Sequence, residues 1–193
     1  MPSTSTFRVP PAALTGVLGR ALGWYARRTF GEVPDNARVL WHHRRVLRAV
    51  LGFEQRVQRF DALDPHLRTY AVMAAAGSVG CSWCLDFGYF MAREDGLDLA
   101  KVREVPRWRE ASVFTPLERR AMEYAEAMSA TPPTVTDAMV DRLRRDLGDE
   151  AVVELTMMVA IENQRSRFNA AMGLASQGYA DVCELPLAVA STA

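Results

Sequence analysis

Two cysteines three residues apart, in Cys81-Ser82-Trp83-Cys84, are the side chains of this sequence best suited to covalent chemistry. The thiolate is the nucleophilic form, and a C-x-x-C pair can close a disulfide once one sulfur is oxidised. Read as the opening of a helix that runs to about Glu94, the segment places positions 81, 84 and 88 on one face. Both thiols then lie in the first turn, where unpaired N–H groups and the positive end of the helix dipole lower a thiol pKa. Two blander roles compete: buried cysteines that only pack, and a zinc site. Zinc takes four ligands, and the other candidates are Cys183, His42, His43 and His66, none in a paired ligand spacing. Adjacent His42 and His43 point about 100° apart on a helix. No metal is expected, and dithiol redox chemistry is.

What must position those thiols is a chain of 193 residues and 21.5 kDa, the size of one domain. A chain this long buries enough surface to fold without disulfide or metal staples. Three cysteines do not make a secreted disulfide framework, so Cys81 and Cys84 are expected to work in a reducing compartment. Twenty-three basic residues, Lys101 the only lysine, balance 23 acidic ones. No net field recruits nucleic acid or an anionic membrane, and neither is expected as a partner. The start, Met1 to Arg8, lacks a basic n-region followed by an apolar stretch, and the longest apolar run, Tyr70 to Cys81, is too short to span a bilayer. A soluble cytoplasmic protein is the expectation.

Hydrophobic spacing predicts helices throughout and no strand: the fold class is all-α, in a single domain. A first amphipathic segment covers about 11–29, with Leu14, Val17, Leu18, Ala21, Leu22 and Tyr25 on its apolar side, and Pro34 breaks the loop after it. A long helix is predicted from about Ala37 to Phe60, with an arginine-rich solvated face. Asp64-Pro65 opens an Ala-rich helix to about 78. Beyond the cysteine helix, Leu99–Glu104 forms a short turn. Thr115-Pro116-Leu117-Glu118 is a capping box. A helix from Thr136 to Leu147 ends at Gly148, and the last one runs from Asp149 to Gln177, with Gly178 as its cap. Residues 1–36 read as an N-terminal helical extension, 37–180 as the main helical domain and 181–193 as a tail, frayed after Pro186.

The run Leu67-Arg68, Gly80-Cys81-Ser82-Trp83-Cys84, Gly88 and Asp95-Gly96-Leu97 resembles the carboxymuconolactone decarboxylase superfamily, and within it the alkyl hydroperoxidase D (AhpD) branch. The resemblance covers about residues 40–180 and is most specific around the cysteines. Glu162-Asn163-Gln164-Arg165-Ser166-Arg167-Phe168-Asn169 is similar to the family's closing core helix. It implies an AhpD-like helical bundle, a homo-oligomer (trimer or hexamer) and no bound cofactor. It also implies Cys84 as the peroxidatic cysteine and Cys81 as the resolving one. The helix-dipole argument by itself favours Cys81, so the residues alone leave the assignment open.

The departures from the family pattern fall on acid–base residues. A Glu belongs twelve residues before the first cysteine, where this chain has Thr69; a His belongs four after the second, where it has Gly88. Some members carry a His where Trp83 stands. That Glu–His arrangement would relay protons to and from the thiol. The candidate substitutes or pocket residues are His66, one turn before Thr69, then Thr69 itself, Trp83 and Gly88, whose missing side chain would widen a pocket. Asp86 reads as a solvated carboxylate, Tyr70 and Tyr89 as core or interface aromatics, and Arg165 as a snorkelling side chain, the alternative being a pair with Glu162 one turn earlier. The expected activity is a thiol-dependent, antioxidant reduction of a hydroperoxide or disulfide, with an external dithiol as reductant. The alternatives are a cofactor-free decarboxylase or isomerase of a small lactone or acid, and a non-catalytic, redox-sensing oligomer.

Overall fold

Asp64 and Thr115 show how locally the chain specifies its helices. Asp64 Oδ1 accepts from Leu67 N at 2.9 Å ahead of Pro65. Thr115 Oγ1 accepts from Glu118 N at 3.3 Å while Glu118 Oε2 accepts from Thr115 N at 2.7 Å, a complete capping box. The computed structural model describes residues 3–180, so Cys183 and the expected tail 181–193 lie outside the described residues. In chain order the helices are α1 Gly16–Phe30, α2 Asp35–Leu40, α3 Arg44–Val57, α4 Pro65–Val79, α5 Ser82–Glu94, α6 Leu99–Arg103, α7 Pro116–Ser129, α8 Asp137–Leu147 and α9 Asp149–Met172. A 3-10 turn, Val105–Arg107, follows α6, and the described residues contain no strand. The all-α, single-domain expectation holds.

Helix α4 is the centre, packed against α5, α7 and α9. Ala71, Ala74, Ala75 and Ala76 are each at most 2% exposed, and side chains this small let three neighbouring helices come close. One side of α4 joins α7, α8 and α9 through Leu67, Tyr124, Leu143, Leu155 and Val159. Its other side joins α5 through Tyr70 and Met73, packed with Trp83, Leu85, Tyr89 and Phe90. Burying such side chains contributes roughly 1.5–3 kcal/mol each, and it fixes α9 beside the start of α5.

Three helix expectations are corrected. The predicted helix 37–60 is two helices, broken at Trp41–His43. Trp41 is buried beneath the Arg44 guanidinium, 3.3 Å from its ring, and His42 Nε2 donates to Pro10 O at 2.8 Å. His43 then caps α3, its Nδ1 accepting from Val46 N at 3.3 Å. Burial of Trp41 and the His42 hydrogen bond to Pro10 override a continuous apolar period.

The second correction concerns α1, which starts at Gly16 and turns Gly19, Gly23 and Ala26 inward, leaving Val17 77% and Tyr25 56% exposed. A Cβ on Gly19 would stand 2.8 Å from the Trp41 ring, so the helix lies too close for its larger residues to face in. The third is α9, which ends at Met172 with its cap Gly173 at φ +72°, five residues before the expected Gly178 cap. There an N-terminal strap takes up the free carbonyls: Thr6 N donates to Gly173 O at 2.8 Å, Arg8 N to Met172 O at 2.9 Å and Arg8 Nη1 to Ala170 O at 2.7 Å. No helix among the described residues is long and apolar enough to cross a membrane.

Candidate active site

Gly80 ends α4 in the left-handed conformation, φ +79°, and turns the chain so sharply that Cys81 becomes the N-cap of α5. Cys81 N donates back to Ala76 O at 3.0 Å, and Cys81 Sγ accepts from Cys84 N at 3.2 Å. Cys84 is therefore three residues into the helix start, on the same side as Cys81. The two are joined as a disulfide, with Cα atoms 5.2 Å apart. Both are buried, Cys81 4% and Cys84 9% exposed.

The polar groups around sulfur come from α9, more than eighty residues away in sequence. Asn169 Nδ2 donates toward Cys84 Sγ at 3.4 Å and lies 3.8 Å from Cys81 Sγ. The Ser166 hydroxyl stands 3.3 Å from Cys84 Sγ and 2.8 Å from Glu162 Oε1. Glu162, Ser166 and Asn169 follow one another at four and three residues, so they share one face of α9, and each is at most 4% exposed. Burial pushes the Glu162 carboxyl up to about 6, against the charge of Arg165 and the Ser166 hydrogen bond, which pull it down. Arg165 Nη1 reaches Glu162 Oε2 at 3.4 Å, its Nε donates to Glu54 Oε1 at 2.9 Å, and its Nη2 also bonds Glu54. Burial opposes the Arg165 charge, but the Glu54 hydrogen bonds and the two carboxylates outweigh it and hold its pKa up. Arg165 is thus a paired arginine rather than a snorkelling one, bonded chiefly to Glu54 of α3 and also to Glu162.

The other sequence-derived candidates sit elsewhere. His66 is exposed in the first turn of α4. Thr69 spends its hydroxyl on Pro65 O, 3.0 Å away on its own helix. Trp83 is a packed indole: Nε1 donates to Gln177 Oε1 at 3.0 Å and the ring stacks on Phe87 at 5.1 Å. The expectation that Gly88 widens a pocket is corrected, because a Cβ there would stand 3.1 Å from Met73 Cγ; the Met73 side chain already fills the space. Asp86 is corrected as well. It is fully buried, and Oδ2 accepts from Gln177 N at 2.8 Å and Gly178 N at 2.9 Å while Oδ1 accepts from Ala180 N. Tyr89 is core, its hydroxyl donating to Arg103 O at 3.3 Å and its pKa raised by burial to about 12. Tyr70 is core too, edge-on to Phe114 at 5.7 Å. Ser166 and Asn169 are the residues that sequence reasoning missed. The one available signal was that both fall in the segment similar to the family's closing helix, at spacings that share a face with Glu162.

A helical bundle with a C-x-x-C pair at the start of one inner helix defines a recognisable class, and the comparisons agree. The model of the carboxymuconolactone decarboxylase family matches residues 44–127. The uncharacterized protein YnjA of Escherichia coli (strain K12) is 33% identical over 183 residues, 92% of this chain and 97% of that protein. The chain belongs to the carboxymuconolactone decarboxylase family. Among solved structures, a cysteine-to-alanine variant of the debrominase Bmp8 in complex with 2,3,4-tribromopyrrole superposes with a TM-score of 0.79 at 21% identity, covering 95% of this chain and all of that one. An alkylhydroperoxidase AhpD-core, peroxidase-related protein of Ralstonia eutropha JMP134 gives 0.73 at 19% identity, covering 89% of this chain and 92% of that one. At those identities the likeness establishes the AhpD-like fold.

Proposed function

We propose that this protein is a thiol-dependent oxidoreductase that reduces a hydroperoxide or a small disulfide through Cys84 and Cys81. The observation that supports the reading is the bonded Cys81–Cys84 pair at the start of α5, with Ser166 and Asn169 aimed at Cys84. Asn169 Nδ2 stands nearer Cys84 Sγ than Cys81 Sγ, and Ser166, bonded to the Glu162 carboxylate, lies beside Cys84, whereas Cys81 Sγ accepts from the Cys84 N–H. The polar side chains of α9 thus serve Cys84, the cysteine that the resemblance implies as peroxidatic. Cys84 is accordingly the nucleophile. Its thiolate attacks the distal peroxide oxygen, the O–O bond breaks, and the products are a sulfenic acid and an alkoxide that takes one proton. The Cys81 thiol then attacks the sulfenic sulfur, closing the disulfide and releasing water. Two thiols are oxidised and one hydroperoxide is reduced to alcohol and water. An external dithiol, of lipoyl or thioredoxin type, returns the pair to the reduced state. Exposed apolar residues such as Val17, Trp24 and Phe53 fit a homo-oligomer, trimer or hexamer.

The test is one equivalent of cumene hydroperoxide added to reduced wild type, Cys81→Ser and Cys84→Ser, followed by thiol titration and mass spectrometry. The expected result is rapid Cys81–Cys84 disulfide formation in wild type and a trapped sulfenic acid on Cys84 in Cys81→Ser. Thiols that stay reduced for minutes overturn the peroxidase reading. A second reading, cofactor-free decarboxylation or isomerisation of a lactone, is favoured by one observation, the buried acid Glu162 with its raised pKa. Turnover of a lactone that survives in Cys84→Ser would select it.

A further inference from the structure

The Glu and His positions that would serve the thiols with protons are Thr69 and Gly88 here, one tied to its own helix and the other filled by Met73. We infer that α9 supplies the replacement: Ser166 carries a proton between Cys84 and Glu162, so that Glu162, acting through Ser166, takes the thiol proton as the nucleophile forms and returns it to the leaving oxygen. This rests on Cys84 being the nucleophile and deepens that reading.

The geometry carries it. Glu162 Oε1, Ser166 Oγ and Cys84 Sγ form a continuous chain with steps of 2.8 and 3.3 Å, in which Ser166 is fully buried and the Cys84 end retains slight exposure. A serine hydroxyl has one proton and two lone pairs. In the disulfide that proton goes to the carboxylate, and the second contact faces a sulfur with none to give. In the reduced pair the Cys84 S–H can donate to Ser166 Oγ while Ser166 donates to Glu162. Transfer along this line gives a Cys84 thiolate, a neutral serine and a protonated Glu162. After attack on a hydroperoxide, reversal of the same line hands the proton to the departing alkoxide, so the Glu162 carboxylate is restored with no proton drawn from bulk water. Asn169 completes the arrangement by donating to the sulfur from the next turn.

The charges on Glu162 suit the role. Arg165 on its own helix attracts its anion, and Glu54 of α3, which holds that arginine, opposes it. The elements α4 and α7 meet this stretch of α9 with uncharged groups: Val72 packs with Met158 and Ile161, and Ser129 accepts from Asn163 Nδ2 at 2.8 Å. A carboxyl with a pKa near 6 is mostly ionised at neutral pH and still basic enough to take a proton in a transition state.

The test measures the rate of Cys84 alkylation by iodoacetamide from pH 5 to 9, in the Cys81→Ser background, with Glu162, Glu162→Gln, Glu162→Asp or Ser166→Ala. Cumene hydroperoxide oxidation is run beside it. With Glu162 the rate should rise through a limb near pH 6, the ionisation of the relay acid. In Glu162→Gln and Ser166→Ala that limb should vanish, leaving a rise at the thiol's own pKa, with the neutral-pH rate down about a hundredfold. Glu162→Asp should keep the limb at reduced amplitude, which a merely structural role would not restore. Identical profiles in all four proteins overturn the relay. Loss of the limb in the two variants, with no reaction toward hydroperoxide in any protein, upholds the relay and overturns the peroxidase reading instead. Circular dichroism of each variant separates misfolding from chemistry, and Glu162→Asp decides the matter if Glu162→Gln fails to fold.

Discussion

Asn169 brings its amide nitrogen to 3.4 Å from Cys84 Sγ across 85 residues of sequence, the contact that ties the closing helix to the reactive one. A hydrogen bond to a charged group contributes about 1.5–3 kcal/mol, and it strengthens as a thiol becomes a thiolate. Asn169→Ala should therefore slow Cys84 oxidation roughly ten- to a hundredfold and raise the Cys84 thiol pKa. Asn169→Asp should slow it further, because a carboxylate would face the forming anion. Stopped-flow oxidation of the reduced protein reads both; an unchanged rate in Asn169→Ala removes the residue from the site.

The buried Glu162 should leave a signature in stability. Its folded pKa, about 6, lies above its ordinary 4.5, so between those values the native state holds more proton than the unfolded chain. Stability from this group is then fully present below pH 4.5 and lost as pH rises through 6. The loss amounts to about 1–2 kcal/mol. Glu162→Gln removes that dependence and should be more stable than wild type by about that amount at pH 7.5, with the difference fading toward pH 4.5. Urea unfolding of both proteins at the two pH values measures it.

Asp86 predicts a large effect from a small change. Its carboxylate accepts from three backbone N–H groups at 177, 178 and 180 and fastens that stretch behind α5. Asp86→Asn keeps the shape but turns an N–H toward N–H donors. It should cost about 2–4 kcal/mol, seen as a lowered urea midpoint. A loss below 1 kcal/mol would mean the segment is held by other contacts.

Placing a histidine at position 88, where the resemblance implies one, should fail. The space over Gly88 belongs to Met73, 3.1 Å from where a Cβ would stand. Overpacking of a filled core costs about 1–3 kcal/mol, so Gly88→His should lower the thermal midpoint without raising the oxidation rate. Adding Met73→Ala should recover much of the midpoint. A faster, equally stable Gly88→His would show that the space is open after all.

Helix existence and the thiol pair were legible because both are written locally. Asp64-Pro65, Thr115 with Glu118, and the C-x-x-C spacing act within one turn of chain. The break at Trp41–His43 was hidden because its causes, the His42 hydrogen bond to Pro10 and the burial of Trp41 beneath Arg44, leave no mark in the periodicity. The outward apolar side of α1 was hidden for a similar reason: glycines that look like weak helix formers are what let it approach Trp41. In the site, Asp86 was misread because its partners are main-chain N–H groups, which have no sequence signal. Ser166 and Asn169 were missed because serine and asparagine inside a helix read as neutral filler until the facing helix is known.

Glu162, Ser166 and Asn169 are mounted on one unbroken 24-residue helix, and no hinge lies between them. One residue inserted into α9 ahead of Glu162 would advance all three by 1.5 Å and swing them together by about 100°. Such a change leaves no partly served sulfur: the whole polar set faces Cys84 or none of it does. A single register, set by how Leu155 and Val159 seat against α4 and α7, is therefore the quantity that divergence in this chain must preserve before any individual side chain matters.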